Sequence, residues 1–356
     1  MKVKIKLLFT IFIFSSCFIF NSVLSVKGLS YHLIKIGQFE QPAYAFDVQV
    51  TDSLAFVSDA DVGGVWILNI SNPSSPNSLS HPLAGGIVHN VHFEDNLVYA
   101  ADWLAGLKII NVSNPLSPLV VGSYVNGLEV DVVTASNDLV CIGHKGYSIL
   151  NVSNPALPSL LYESPGLIPI IDLELHGNLL FYVDLFYGLN LLNITNPSSP
   201  SLLDQWSIGS ATYNEIAVVE NIVFIVGSFG LYSLDFSDPF NIVELDHYSS
   251  GNPVRSIDIS NSLASIIESE SDIRLINISN PTDLISVGHY SNAGSSLSDI
   301  CITDNLVFTA AKEDGLLIFE FGDNQTDNIS SAPYLVFFSG ITIALMPLII
   351  KKKISK

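Results

Sequence analysis

The feature that most constrains this chain is a turn that returns on a fixed period. Asn-Pro or Asp-Pro occurs at Asn72-Pro73, Asn114-Pro115, Asn154-Pro155, Asn196-Pro197, Asp238-Pro239 and Asn280-Pro281, in steps of 42, 40, 42, 42 and 42 residues. An apolar phrase precedes each turn, as in Gly64-Val-Trp-Ile-Leu-Asn-Ile and Gly106-Leu-Lys-Ile-Ile-Asn-Val. Asp272-Ile-Arg-Leu-Ile-Asn-Ile and Gly315-Leu-Leu-Ile-Phe-Glu-Phe complete a set of seven. A second apolar run lies ahead of each phrase, such as Leu54-Ala-Phe-Val, Leu97-Val-Tyr-Ala and Ile222-Val-Phe-Ile. A third precedes that, as in Asp47-Val-Gln-Val, and a fourth follows the turn, as in Leu202-Leu-Asp-Gln-Trp.

These runs are short, rich in β-branched and aromatic residues, and fenced by turn residues, so they predict strands. Four strands in about 42 residues is the length of one propeller blade. Blades stack face on face, so their middle strands lose the alternation of a one-sided sheet. The expected fold class is all-β: a seven-bladed β-propeller over residues 31–322, plus one C-terminal transmembrane helix. Residues 32–39 resemble the strand that elsewhere follows Asn-Pro, and no such strand follows residues 315–321. The N-terminal strand is therefore expected to pair in the last blade and close the ring.

Two strand phrases carry a family resemblance. Residues 106–118, Gly-Leu-Lys-Ile-Ile-Asn-Val-Ser-Asn-Pro-Leu-Ser-Pro, with Leu-Val-Tyr-Ala-Ala-Asp at 97–102, resemble the LVIVD repeat of secreted and surface proteins. The resemblance implies a propeller at the cell surface and no particular reaction, since one fold hosts many functions. The chain departs from the pattern where the second proline is lost after Asp238 and Asn280.

The ends predict location. Lys2, Lys4 and Lys6, the apolar stretch 7–20 and Val23-Leu24-Ser25 make residues 1–25 a signal peptide. Residues 323–332 read as a tether and 333–350 as an uncharged membrane span, with the basic tail 351–356 held in the cytoplasm. A single-pass protein with its N-terminal domain outside the cell is expected. Charge excludes one function class. Seven of the 14 bases lie in the terminal tails, so the body sets seven bases against 34 acids and repels nucleic acid.

Propeller strand order places two sets of turns on one face. That face is expected to hold Asp47, Asp131, Asp172, Glu215 and Asp299 from the first set, and Asp59, Asp61, Asp102, Asp184, Glu313 and Asp314 from the second. Tyr44, Trp103, His144, Phe186, Tyr187, Tyr213 and Phe229 join them. Carboxylates beside aromatic plates suit a glycan, a cationic peptide or calcium. Trp103, Asp59, Asp102, Asp131, Asp172, Asp184, Tyr187 and Tyr213 are the candidate ligand-binding residues. The competing role for each aspartate is to bond its own turn backbone.

No nonrepeating catalytic constellation, His-x-Glu zinc motif or phosphate loop is visible, so neither catalytic residues nor metal ligands are assigned. No cofactor is expected, with calcium as the open alternative. Cys141 and Cys301 fall about half a ring apart and read as small core residues. Asn69, Asn111, Asn151, Asn193, Asn277, Asn324 and Asn328 head Asn-x-Ser/Thr sequons and are candidate glycosylation sites. Asp235 fills the slot of the first five in another repeat, which favours turn bonding there. The expected function is a non-enzymatic binding or adhesion module for an extracellular glycan, peptide or protein. The alternatives are a surface enzyme using channel carboxylates and a self-associating envelope protein.

Overall fold

The computed structural model describes residues 30–323 apart from residues 62, 84, 126, 167, 210 and 292–295. All described elements are strands. After β1 (Tyr31–Phe39), the first blade contains β2 (Ala45–Val50), β3 (Leu54–Asp59), β4 (Gly64–Asn69) and β5 (Asn77–Ser80). The second has β6 (Asn90–Glu94), β7 (Leu97–Asp102), β8 (Gly106–Asn111) and β9 (Leu119–Tyr124). The third has β10 (Val132–Ser136), β11 (Leu139–His144), β12 (Gly146–Asn151) and β13 (Ser159–Glu163). The fourth has β14 (Ile170–His176), β15 (Leu179–Asp184), β16 (Gly188–Asn193) and β17 (Ser201–Trp206). The fifth has β18 (Tyr213–Val219), β19 (Ile222–Gly227), β20 (Gly230–Asp235) and β21 (Val243–Tyr248). β22 (Val254–Ser260), β23 (Leu263–Glu268), β24 (Asp272–Asn277), β25 (Ile285–Tyr290), β26 (Asp299–Thr303), β27 (Leu306–Ala310) and β28 (Leu316–Asp323) follow.

Burial explains the sequence pattern. β3 and β7 are buried along almost their whole length because a neighbouring blade covers each face. The outer strands β9 and β17 leave several residues exposed. Apolar clusters fill the seams between blades. Phe56, Ile67, Val91 and Val98 occupy the first seam, and Cys141, Ile149, Leu173 and Leu180 the third. Cys141 and Cys301 are both free thiols, and burial pushes both above the ordinary thiol range.

At several seams the outer strand of one blade faces the proline turn of the next, and the facing residues match. Where the turn keeps its second proline, that residue has no N–H to satisfy. Gly122 faces such a turn, and a Cβ there would lie 1.8 Å from the Pro155 carbonyl oxygen. Where the second proline is replaced by Ile242 or Leu284, an N–H appears and an aspartate answers it. Ile242 N–H donates to Asp204 Oδ2 at 2.7 Å, and Leu284 N–H to Asp246 Oδ2 at 2.6 Å. The two lost prolines are thus matched within the chain.

The fold class is corrected in its blade count. Five sheets stand as separate four-stranded blades, not seven. The strands of the last two repeats form one eight-stranded sheet, in the order β22-β23-β24-β25-β1-β28-β27-β26. β1 makes the join. It runs antiparallel to β28 from Tyr31↔Asp323 to Phe39↔Leu316, the closure expected of the N-terminal strand, and also touches β25 in parallel at Tyr31↔Gly288. Gly288 permits the join, since a Cβ there would crowd Tyr31 and Leu33 at 3.2 Å. A sequence period counts repeats, whereas sheets are counted by continuous hydrogen bonding. The expected transmembrane helix falls beyond the described residues. No helix among the described residues is long and apolar enough to cross a membrane. Asp323, expected to open the tether, ends β28 instead, whereas residues 324–332 and 333–350, with the signal peptide, basic tail, Asn324 and Asn328, lie outside the described residues.

Candidate functional site

The first strand of every repeat lines an axial channel with a cavity of about 550 Å³. One position of these strands supplies Asp47, Asn90, Val132, Asp172, Glu215, Ser256 and Asp299. Most of these side chains accept an N–H from the next inner strand. Val91 donates to Asp47 at 2.7 Å, Val133 to Asn90 at 2.8 Å, Ile216 to Asp172 at 2.9 Å and Ile257 to Glu215 at 2.7 Å. Ile300 donates to the Ser256 hydroxyl at 3.2 Å, and Val48 closes the circuit on Asp299 at 2.9 Å. Val132 has no acceptor, so the Leu173 N–H it would have served is taken by Asp172's own Oδ1 at 2.8 Å. Two residues further along, Gln49, Glu174 and Asp258 repeat the device with the N–H groups of Phe93, Val218 and Ile302.

Gathering carboxyls in a narrow lumen costs hydration, which disfavours their charged form. Burial, with Asp299 close by, holds Asp47 and Glu215 well above the ordinary carboxyl range. Burial lifts Asp172 to about 7, Glu174 to about 8 and Asp258 to about 6. Asp47 and Asp299 share a side-chain hydrogen bond. Burial acts in the other sense on His92, lowering it to about 4 and leaving it neutral.

One residue before the carboxyl position, the strands reach the channel mouth, a second space of about 250 Å³. There the repeats present Phe46, His89, Asp131, Ile171, Asn214, Arg255 and Ser298, a different side chain each time. His89 Nδ1 lies 3.0 Å from Asp131 Oδ1. The His89 ring is 5.5 Å from that of Phe46 and 6.1 Å from that of Trp103, and Phe46 stacks on Tyr44 at 6.4 Å. Arg255 reaches outward, to the Leu297 carbonyl at 3.3 Å and Glu270 at 3.9 Å.

The residues singled out in the sequence separate into groups. Trp103 and Asp131 border the mouth, and Asp172 lies just inside it. Asp59 is buried and accepts the N–H groups of Ala43, Tyr44 and Asp61 and the Trp66 indole. Asp102 accepts the Ile87 N–H at 3.1 Å. Asp184 accepts the N–H groups of Phe186 and Tyr187 and the Asn190 amide. Tyr213 is buried, and its hydroxyl accepts the Ile208 N–H at 2.7 Å. These four are committed within the fold, whereas Tyr187 is exposed away from the mouth. Asn69, Asn111, Asn151, Asn193 and Asn277 each accept the N–H two residues on, as Asp235 does. Among the described residues, no group of three or more His, Cys, Asp or Glu side chains is placed to hold a metal ion. Phe46, Asn214 and Arg255 escaped the sequence reading. Aligning the repeats on their second strands and reading that single column would have found them.

Comparison with known proteins agrees with the fold. The LVIVD repeat family matches residues 42–81, 85–126 and 129–163, so this part of the chain consists of LVIVD repeats. No curated protein matches by sequence. Among solved structures, virginiamycin B lyase from Staphylococcus aureus superposes with a TM-score of 0.65 at 12% identity, covering 82% of this chain and 99% of that one. The computationally designed Ika8 protein gives 0.61 at 12% identity, covering 80% and 99%, and Saccharomyces cerevisiae Sqt1 gives 0.60 at 11%, covering 78% and 82%. At such identities the likeness is one of fold alone.

Proposed function

We propose that this LVIVD-repeat protein is a binding module working outside the cytoplasm, and that its channel mouth takes a cationic group, a lysine or arginine side chain of a peptide or protein ligand. One observation carries the reading: the mouth position changes in every repeat, while the position one residue deeper is largely committed to bonds between inner strands. A framework needs repetition and a recognition surface does not. Phe46 and Trp103 offer ring faces to a cation, as Tyr44 already does to Lys312 Nζ at 5.8 Å, and Asp131 with the lumen carboxyls supplies the opposite charge. The acidic body steers such a ligand from a distance. The basic, apolar and small-residue order of residues 1–25 supports export.

Calorimetry of the full chain with a tetralysine peptide tests this. Binding should weaken with salt and tighten between about pH 6 and about pH 8, as Asp172 and Glu174 lose their protons to solvent and become carboxylates. Phe46→Ala or Asp131→Asn should weaken it about tenfold. Affinity unchanged in both variants removes the assignment.

A second reading, acid–base catalysis in the lumen, is favoured by the hydrogen-bonded Asp47–Asp299 pair, with Asp47 holding the proton. Turnover of a peptide or polysaccharide panel that disappears in Asp47→Asn would support it over pure binding.

A further inference from the structure

A third cavity, of about 400 Å³, opens between the third and fourth blades, away from the channel. Its walls break the repeat three times in one place. Tyr147 stands where the other repeats carry Val65, Leu107, Leu189, Leu231, Ile273 and Leu316. Tyr182 replaces Val57, Ala100, Ile142, Ile225, Ile266 and Thr309. Tyr162, paired with Ile149, takes the position held by Gly122, paired with Ile109, in the preceding blade. Gly122 has no room for a Cβ against its facing turn, so a tyrosine at the equivalent position requires a wider seam. The three rings line the opening, with centroids 5.9 Å apart for Tyr147–Tyr162 and 5.3 Å for Tyr147–Tyr182.

The polar groups of this groove are uncharged or already committed. Asp184 is spent on Phe186, Tyr187 and Asn190. Asn190 accepts from the Gln205 amide nitrogen, which leaves the Gln205 carbonyl oxygen without a partner among the described residues. Burial keeps the Tyr147 and Tyr182 phenols protonated, with Tyr182 raised to about 12, so these two remain hydrogen-bond donors at neutral pH. Pro165, Pro200 and Leu202 add apolar surface at the edge.

We infer that this seam is a second binding site, independent of the channel mouth, for an uncharged hydroxyl-rich ring: a hexose or a short neutral glycan. Tyrosine faces pack on the C–H face of a sugar ring, and amide and phenol groups meet its hydroxyls. An ion of either sign finds no free countercharge in the groove. The volume falls within the ordinary range of small-molecule pockets, about 300–1,000 Å³.

The test is saturation-transfer NMR and calorimetry on the full chain with methyl glucoside, maltose and cellobiose. Tyr182→Ile restores the aliphatic residue of the neighbouring repeats and should fold normally. Gln205→Ala removes the open acceptor from an exposed position. Either change should weaken saccharide binding about tenfold, while Phe46→Ala and Trp103→Ala at the mouth leave it unchanged. No saccharide signal from the full chain overturns the inference, as does binding that survives both groove variants. A proline-rich peptide that binds through Tyr182 and Gln205 while the saccharides do not would also overturn it. Tetralysine binding reports on the mouth alone, so the two sites fail separately.

Discussion

Two populations of acid lie close together in this protein and live by different rules. Asp59, Asp102 and Asp184 end the second strands of their repeats, and each accepts N–H groups from its own surroundings, as many as four donors for Asp59. Asp47, Asp172, Glu215 and Asp299 end their backbone bonds at one or two and turn what remains toward a shared lumen. Burial pushes Asp102 upward even so, while in the second set lost hydration is joined by neighbours of like charge. What separates the two sets is whether an acid faces its own turn or the other acids of the lumen.

That contrast can be broken by mutation, and the largest effect belongs to a turn acid. Asp59→Ala should cost about 3 kcal/mol in denaturant unfolding, because the part-buried bonds from Ala43 and Tyr44 N–H lose their acceptor and the buried carboxylate leaves a void. A loss under about 1 kcal/mol would mean the turn holds without its carboxylate. The lumen acids should reveal themselves through pH instead. Their folded-state values lie above the ordinary 3.8 to 4.5, so the folded protein keeps protons that the unfolded chain releases. Stability is therefore full below about pH 4 on their account and falls as the pH rises toward about 8. His92 works against this trend, costing stability as the pH drops from 6.5 to about 4. Glu174→Gln should flatten the fall between about pH 5 and about pH 8 by about 2 kcal/mol, and a slope equal to wild type would contradict the shift. The smallest effect is expected at the mouth. Asp131→Asn should change thermal stability by less than about 0.5 kcal/mol, since the side chain is half exposed and serves no turn.

The repeat made much of this architecture readable in advance. Period, strand phrases and the missing last strand led to the propeller and to the pairing of residues 32–39 beside 315–321. The merging of the final sheets was not readable, because it rests on a single parallel pairing, Tyr31↔Gly288, that no repeated phrase marks. The candidate site was read only in part. Asp59 and Asp184 look like Asp131 in sequence, since an aspartate in a turn gives no sign of whether its donors will be backbone or ligand. Asp235 correctly pointed to turn bonding at Asn69 and its equivalents, because only an interaction that either side chain can make explains the exchange. The three groove tyrosines were invisible to a reading of what repeats, being conspicuous only as exceptions to it.

The pairing of Tyr31 with Asp323 sets both ends of the ring at one point on its circumference. Tension applied between those ends would load the β1–β28 ladder from its terminal rung, parting its bonds singly instead of shearing them together. The clasp that shuts the ring is therefore also where a modest pull would open it.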